Sequence, residues 1–122
     1  MRAPAAWEAV GPVGAWIPWT GRAVLAADGS QVAVFRLGAH EVVAIDNLDP
    51  FTGAHVLARG IVGNEGDVVK VASPLLKHRF DLRTGICLDD PDVSVVVHGA
   101  RVRDGVVEVC MSTDPTEKEH AA

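Results

Sequence analysis

Asp49, His55 and His78 lie in or beside two Pro-containing loops of this 122-residue sequence and have the types to hold a metal ion or move a proton. An aspartate between Leu48 and Pro50 can ligate a hard cation, or its carboxylate can accept hydrogen bonds from the amides of its own loop. The second reading is preferred, because no soft donor stands nearby. His55 and His78 fall at spacings that match no standard metal motif and read as packed or exposed imidazoles. Cys87 and Cys110 show no CxxC spacing and belong to no larger cysteine framework, so both read as buried small hydrophobes. His40 is a turn residue, and His98 and His120 have no acidic or cysteine partner at telling spacing, so none is assigned a role. Asp89-Asp90-Pro91-Asp92 could attract a hard cation, but an acidic turn is its default reading. With no Ser/His/Asp order and no phosphate-cradling glycine loop, nothing points to independent catalysis. Arg59, Lys77, His78 and Arg79 gather in an otherwise acidic chain. They make a solvated basic face, a contact for an acidic partner, or internal company for Asp49.

The elements that must position these residues are strands. No window keeps apolar residues at helical spacing with caps at both ends, whereas Val, Ile and Thr recur in short runs cut by Gly, Pro and Asp. Strands are predicted over 7–10, 22–26, 31–37 and 41–46, with Asp28-Gly29 as a tight hairpin and the middle run covered on both faces. Residues 16–20 read as a connection, since Pro18 bars a central strand. A loop at 47–54 leads to a run over 56–62 interrupted by Gly60, then a turn at 63–66 and a strand at 68–72. A second loop at 73–77 precedes short strands at 79–82 and 86–88, and strands at 93–97, 100–103 and 106–111 complete the chain. In the last hairpin Arg101, Arg103 and Glu108 alternate with valines, placing one face in water and one in a core. Trp7, Trp16 and Trp19 could stack on a ligand but read as core or strand-end packing.

Composition bounds the possible partners. A net charge of −5 argues against nucleic acid, whose phosphates demand a basic face. No apolar run approaches the ~18 residues that span a bilayer. Pro4, Trp7 and Glu8 interrupt any signal-peptide core, which predicts an unexported, cytoplasmic chain. Length predicts one domain over residues 1–111, with a polar tail at 112–122 that reads as disordered.

Two Pro-containing loops set between a meander and a C-terminal hairpin resemble a Rieske domain. In that family the first loop carries Cys-x-His and the second Cys-x-x-His, followed by an aromatic-Asp-x-x-Thr-Gly stretch. Phe80-Asp81-Leu82-Arg83-Thr84-Gly85 matches that tail, and Pro50, Gly53, Ala54 and Pro74 match the loop framework. The resemblance implies an all-β fold, a Rieske-like antiparallel β-sandwich with a small two-loop subdomain. It also places Asp49, Phe51, Ser73 and Leu76 at the four ligand positions. A Rieske [2Fe–2S] centre needs two thiolates and two imidazoles. These residues offer two hard oxygens and two hydrocarbons, so no cluster is expected. Phe51 and Leu76 are instead expected to turn inward, each contributing on the order of 1.5–3 kcal/mol by burial.

The same loops, with Leu57-x-Arg59-Gly60-Ile61-Val62-Gly63, resemble the small subunit of NAD(P)H-dependent assimilatory nitrite reductase from about Trp7 to Val109. That resemblance implies a cluster-free companion to a large subunit that holds FAD, iron–sulfur centres and sirohaem and reduces nitrite to ammonium. It makes Phe51, Thr52, Gly53, Arg59, Leu75, Lys77, His78 and Arg79 the candidates for docking on that partner. Two other readings stand beside it. One is a free-standing module whose loop cleft takes a small ligand or a mononuclear metal. The other is a Rieske ferredoxin, which the missing ligands nearly exclude.

Overall fold

The computed structural model describes residues 6–112. Its central element is β3 (Gln31–Arg36), whose alternate residues feed two separate cores. Ala33 and Phe35 face one way, Val32 and Val34 the other, and all four are fully buried. That double burial is why the sequence of this strand is nearly continuous in apolar residues.

Around β3 run β1 (Glu8–Pro12), β2 (Thr20–Leu25), β4 (Val42–Asp46), β8 (Val97–Arg103) and β9 (Val106–Cys110), in the spatial order β1-β9-β8-β4-β3-β2 with antiparallel pairing. The six-stranded sheet closes over its own face: Val107 and Val109 of β9 share a core with Val32, Val34 and Ala44. Trp16 completes that core, its indole Nε1 donating to the Val34 carbonyl at 3.0 Å. A second sheet, β5 (Ile61–Glu65), β6 (Val68–Ala72) and β7 (Arg79–Asp81), packs on the other face of β3. Val69, Val71, Phe80, Leu82 and Cys87 meet Ala33, Phe35 and Ile45 there. The expected all-β antiparallel sandwich with a small two-loop subdomain is therefore the observed architecture.

Both hairpin signals act as read. Gly29 has φ 89, and Asp104 and Gly105 have φ 53 and 77, the paired left-handed residues of a tight turn that matches strand twist. Arg101 Nε donates to Glu108 Oε1 across the last hairpin at 2.7 Å, on the face opposite the buried valines. Pro12 is tolerated in β1 because that strand lies at the sheet edge.

Several boundaries differ. The run expected over 56–62 is a 3-10 turn, Leu57–Arg59, followed by β5. Leu57 and Ala58 are buried by that turn, so apolar content mimicked a strand. Gly63 lies within β5, and the reversal falls at Gly66, with φ 63. Residues 86–88 and 93–96 hold only isolated bridges, Phe80 with Cys87 and Ile86 with Ser94. Asp46 and His98 were separated by too much chain for their pairing to be visible. His98 Nε2 lies 2.6 Å from Asp46 Oδ1, and its Nδ1 accepts the Ser112 amide at 3.0 Å, which puts the ring proton on Nε2. Among the tryptophans, Trp16 is core, whereas Trp7 and Trp19 are partly exposed, Trp7 beneath the Arg101 guanidinium at 3.9 Å. Cys87 is buried but Cys110 only half so. His120 and the expected tail beyond Ser112 lie outside the described residues.

A two-loop candidate site

Loop one is built by Asp49. Its main-chain carbonyl accepts the Gly53 amide at 2.8 Å, its own amide donates to the Ala54 carbonyl at 2.8 Å, and Gly53 takes φ 75 to close the turn. Asn47 anchors the loop to the scaffold: its Oδ1 accepts the Ala58 amide at 2.8 Å, and its side chain is buried. Loop two closes on Ser73, whose amide donates to the His78 carbonyl and whose carbonyl accepts the Lys77 amide, at 2.9 and 3.1 Å. Lys77 holds φ 62, a left-handed conformation that costs a non-glycine residue about 1–2 kcal/mol.

The loops meet through two contacts. Ser73 Oγ donates to Asp49 Oδ2 at 2.5 Å, while Asp49 Oδ1 accepts the Phe51 amide at 2.8 Å. Asp49 and Ser73 are 0% and 1% exposed, so this clasp works in a dry interior where an unmade partner is costly. Above it the Phe51 ring stacks on the His78 imidazole, centroids 3.7 Å apart and planes within 8°. Phe51 also tilts against Phe80 at 6.2 Å, which ties the stack to the core. His78 Nδ1 is buried there without a hydrogen-bond partner.

This arrangement corrects one expectation. Phe51 packs, but Leu76 does not turn inward: it is 59% exposed, beside Leu75 at 51%. His78, two residues further on, has taken the place over Phe51, and the closure of loop two on Ser73 leaves Leu76 at the outside. The basic set is also divided. Arg79 is paired with Glu65 at 2.6 Å and Asp89 at 2.9 Å, whereas Lys77 and Arg59 are exposed. Among the described residues Asp49 receives no basic side chain; its carboxylate accepts from Ser73 and the Phe51 amide. Sequence reasoning placed Asp49 and Ser73 singly and missed their pairing, which joins residues 24 apart.

The hydrogen bonds from the side chain and amide of Arg79 hold the Asp89 carboxyl below its ordinary value of 3.8. A carboxyl lowered by folding stabilises the fold above its unfolded pKa and loses that contribution as pH falls through the folded one. Asp89→Asn is therefore expected to lower the thermal midpoint at neutral pH and to flatten its fall below about pH 4. Melting curves between neutral pH and pH 2 check this; an unchanged acid limb would contradict it.

The four positions do not suit a [2Fe–2S] centre. Two of them carry no donor atom, and the other two are oxygens already committed to each other. Among the described residues no group of three His, Cys, Asp or Glu side chains converges as for a metal.

Residues 6–110 match the Rieske-like [2Fe-2S] domain family. The nitrite reductase (NADH) small subunits of Salmonella typhimurium and Escherichia coli K12 are 42% and 41% identical over 104 residues, 84% of this chain and 95% of each relative. The chain belongs to the nitrite reductase small-subunit family. The solution structure of E. coli NirD superposes with a TM-score of 0.82 at 38% identity, covering 90% of this chain and all of that one. A Mycobacterium tuberculosis structure described as an NADH-dependent nitrite reductase small subunit gives 0.86 at 46% identity, covering 92% and 100%. A ferredoxin of carbazole 1,9a-dioxygenase from Nocardioides aromaticivorans lies further off, with a TM-score of 0.72 at 28% identity. A nitrite reductase [NAD(P)H] large subunit of Klebsiella oxytoca also matches, at 42% identity over 79 residues, 65% of this chain but 8% of that one. The small-subunit structures and this ferredoxin thus share one frame with the chain.

Proposed function

We propose that this chain is the non-catalytic small subunit of a cytoplasmic NAD(P)H-dependent nitrite reductase of nitrate assimilation. It docks on and supports the large subunit, which holds FAD, iron–sulfur and sirohaem groups, and carries no cluster itself. The observation that carries this reading is the Asp49–Ser73 hydrogen bond at the two thiolate positions, which spends both sites on holding the loops together. The match to a segment of the K. oxytoca large subunit supports the association, because a covalently joined version of two parts favours their separate forms meeting.

The docking face is the outer side of the two loops. Leu75 and Leu76 are exposed there next to Lys77, Thr52 and Gly53 are exposed at the tip of loop one, and the stacked Phe51 and His78 rings support the face. Apolar anchors rimmed by a cation fit a partner surface that is apolar with an acidic margin. Coexpression with a tagged large subunit is expected to yield a complex that survives purification, and Lys77→Glu to weaken it about tenfold or more. Arg79→Glu is a poor probe of docking, because it breaks the ion pairs to Glu65 and Asp89. A large subunit that purifies alone with full activity would contradict the reading.

A further inference from the structure

A concavity lies beside loop one. Gly21, Arg22 and Ala23 of β2, Gln31 of β3, Asn47, His55, Ala58 and Arg59 wall a cleft of about 360 Å³. Three of these side chains are cationic or can become so, and none is a carboxylate, in a chain whose net charge is −5. Arg59 and His55 are exposed and make no side-chain hydrogen bond or ion pair among the described residues. Arg22 is steadied by one bond to the Ala15 carbonyl at 3.1 Å and by the Trp16 ring at 5.4 Å. A guanidinium has five donors, so most of those on Arg22 stay uncommitted.

The wall behind these cations is fixed. Asn47 is locked between the Ala58 amide and Gln31 Oε1, at 2.8 and 3.2 Å, which leaves the amino donors of Gln31 for a guest. Gly21 permits the close approach of the two walls: a Cβ there would lie 2.6 Å from the Phe35 ring and 2.7 Å from the Ala58 carbonyl. The lining therefore offers guanidinium and amide donors with no ionic acceptor to compete. Forked guanidinium donors match a planar anion with two oxygens.

We propose that this cleft binds a two-oxygen anion of the carboxylate type, with Arg59 and Arg22 as its charged contacts and Gln31 as a neutral donor. Such a group has two sources, a small free anion or an acidic side chain of the large subunit; the second rests on the function proposed above.

The test is a titration of the ¹⁵N-labelled full chain with sodium acetate and sodium nitrite, against sodium chloride at equal ionic strength. A parallel pull-down compares wild type and Arg59→Glu with the large subunit. A free-anion site gives saturable shifts at the side-chain N–H groups of Arg22, Gln31 and Arg59, with a dissociation constant on the order of 1 mM. Those shifts are absent with chloride and weakened about tenfold in Arg59→Gln. A partner carboxylate gives instead a loss of about tenfold or more in complex affinity for Arg59→Glu, at an unchanged thermal midpoint. Shifts that only track chloride, with no such loss for Arg59→Glu, overturn the proposal. If the wild-type chain itself fails to bind the large subunit, the proposed function fails, and the anion titration alone then decides the cleft.

Discussion

Asp49→Ala lowers the thermal midpoint of this chain by on the order of 10–20 °C, because one carboxylate serves both loops. Its two oxygens accept the Ser73 hydroxyl at 2.5 Å and the Phe51 amide at 2.8 Å, and no water reaches the pair. Alanine leaves both donors in the interior, each at about 1–3 kcal/mol. A loss of ~2–4 kcal/mol in a domain of this size moves the midpoint by about 5 °C per kcal/mol. Asp49→Asn keeps an acceptor for the Phe51 amide and turns its amino group toward a Ser73 oxygen that can accept, so its effect is less than half as large. Circular-dichroism melts of the two variants check the contrast. Equal, small shifts for both would show that the clasp contributes little.

Gly85→Ala destabilises to a similar extent, by about 2–5 kcal/mol. Gly85 holds φ 79, and a Cβ built on it would stand 2.1 Å from the Val95 carbonyl oxygen. The left-handed conformation alone costs about 1–2 kcal/mol for a non-glycine residue, and forced overpacking typically costs ~1–3 kcal/mol more. The clash cannot be relieved cheaply, since the Val95 amide also donates to the Gly85 carbonyl at 2.8 Å and pins the two segments together. Gly105→Ala is the control: φ is 77, yet nothing lies within 4 Å of the added carbon, so only the conformational cost remains. Denaturant titration separates the two. Equal losses would mean that the Val95 segment yields to the added methyl without cost.

Gly85 also explains why the fold was legible while the site was only half so. Phe80-Asp81-Leu82-Arg83-Thr84-Gly85 pointed to the family, and every part of it builds a turn. Phe80 and Leu82 are core, Asp81 Oδ1 accepts the amides of Arg83 and Thr84, and the Thr84 hydroxyl accepts the Ile86 amide. These are local interactions with fixed spacing, so they can be read from sequence. None of them depends on iron, which is how the frame can be kept while the ligand residues change. The 3-10 turn at Leu57–Arg59 was misread because a short apolar run carries no period that separates a strand from a buried turn. Leu76 was misplaced for another reason. Which residue covers Phe51 depends on how loop two closes on Ser73, and that closure hands the place to His78. The Asp46–His98 pair and the Arg22–Arg59 cleft join residues from elements distant in sequence, a placement that topology alone supplies.

The central claim is that a side-chain clasp and an aromatic stack hold the two loops in place of an inorganic centre. It is tested most directly by measuring iron and acid-labile sulfide per chain, with a visible spectrum, on the isolated full-length protein purified without air. The expected result is neither element above background and no absorbance beyond that of the tryptophans. Two irons and two sulfides per chain with a Rieske-type spectrum would contradict it.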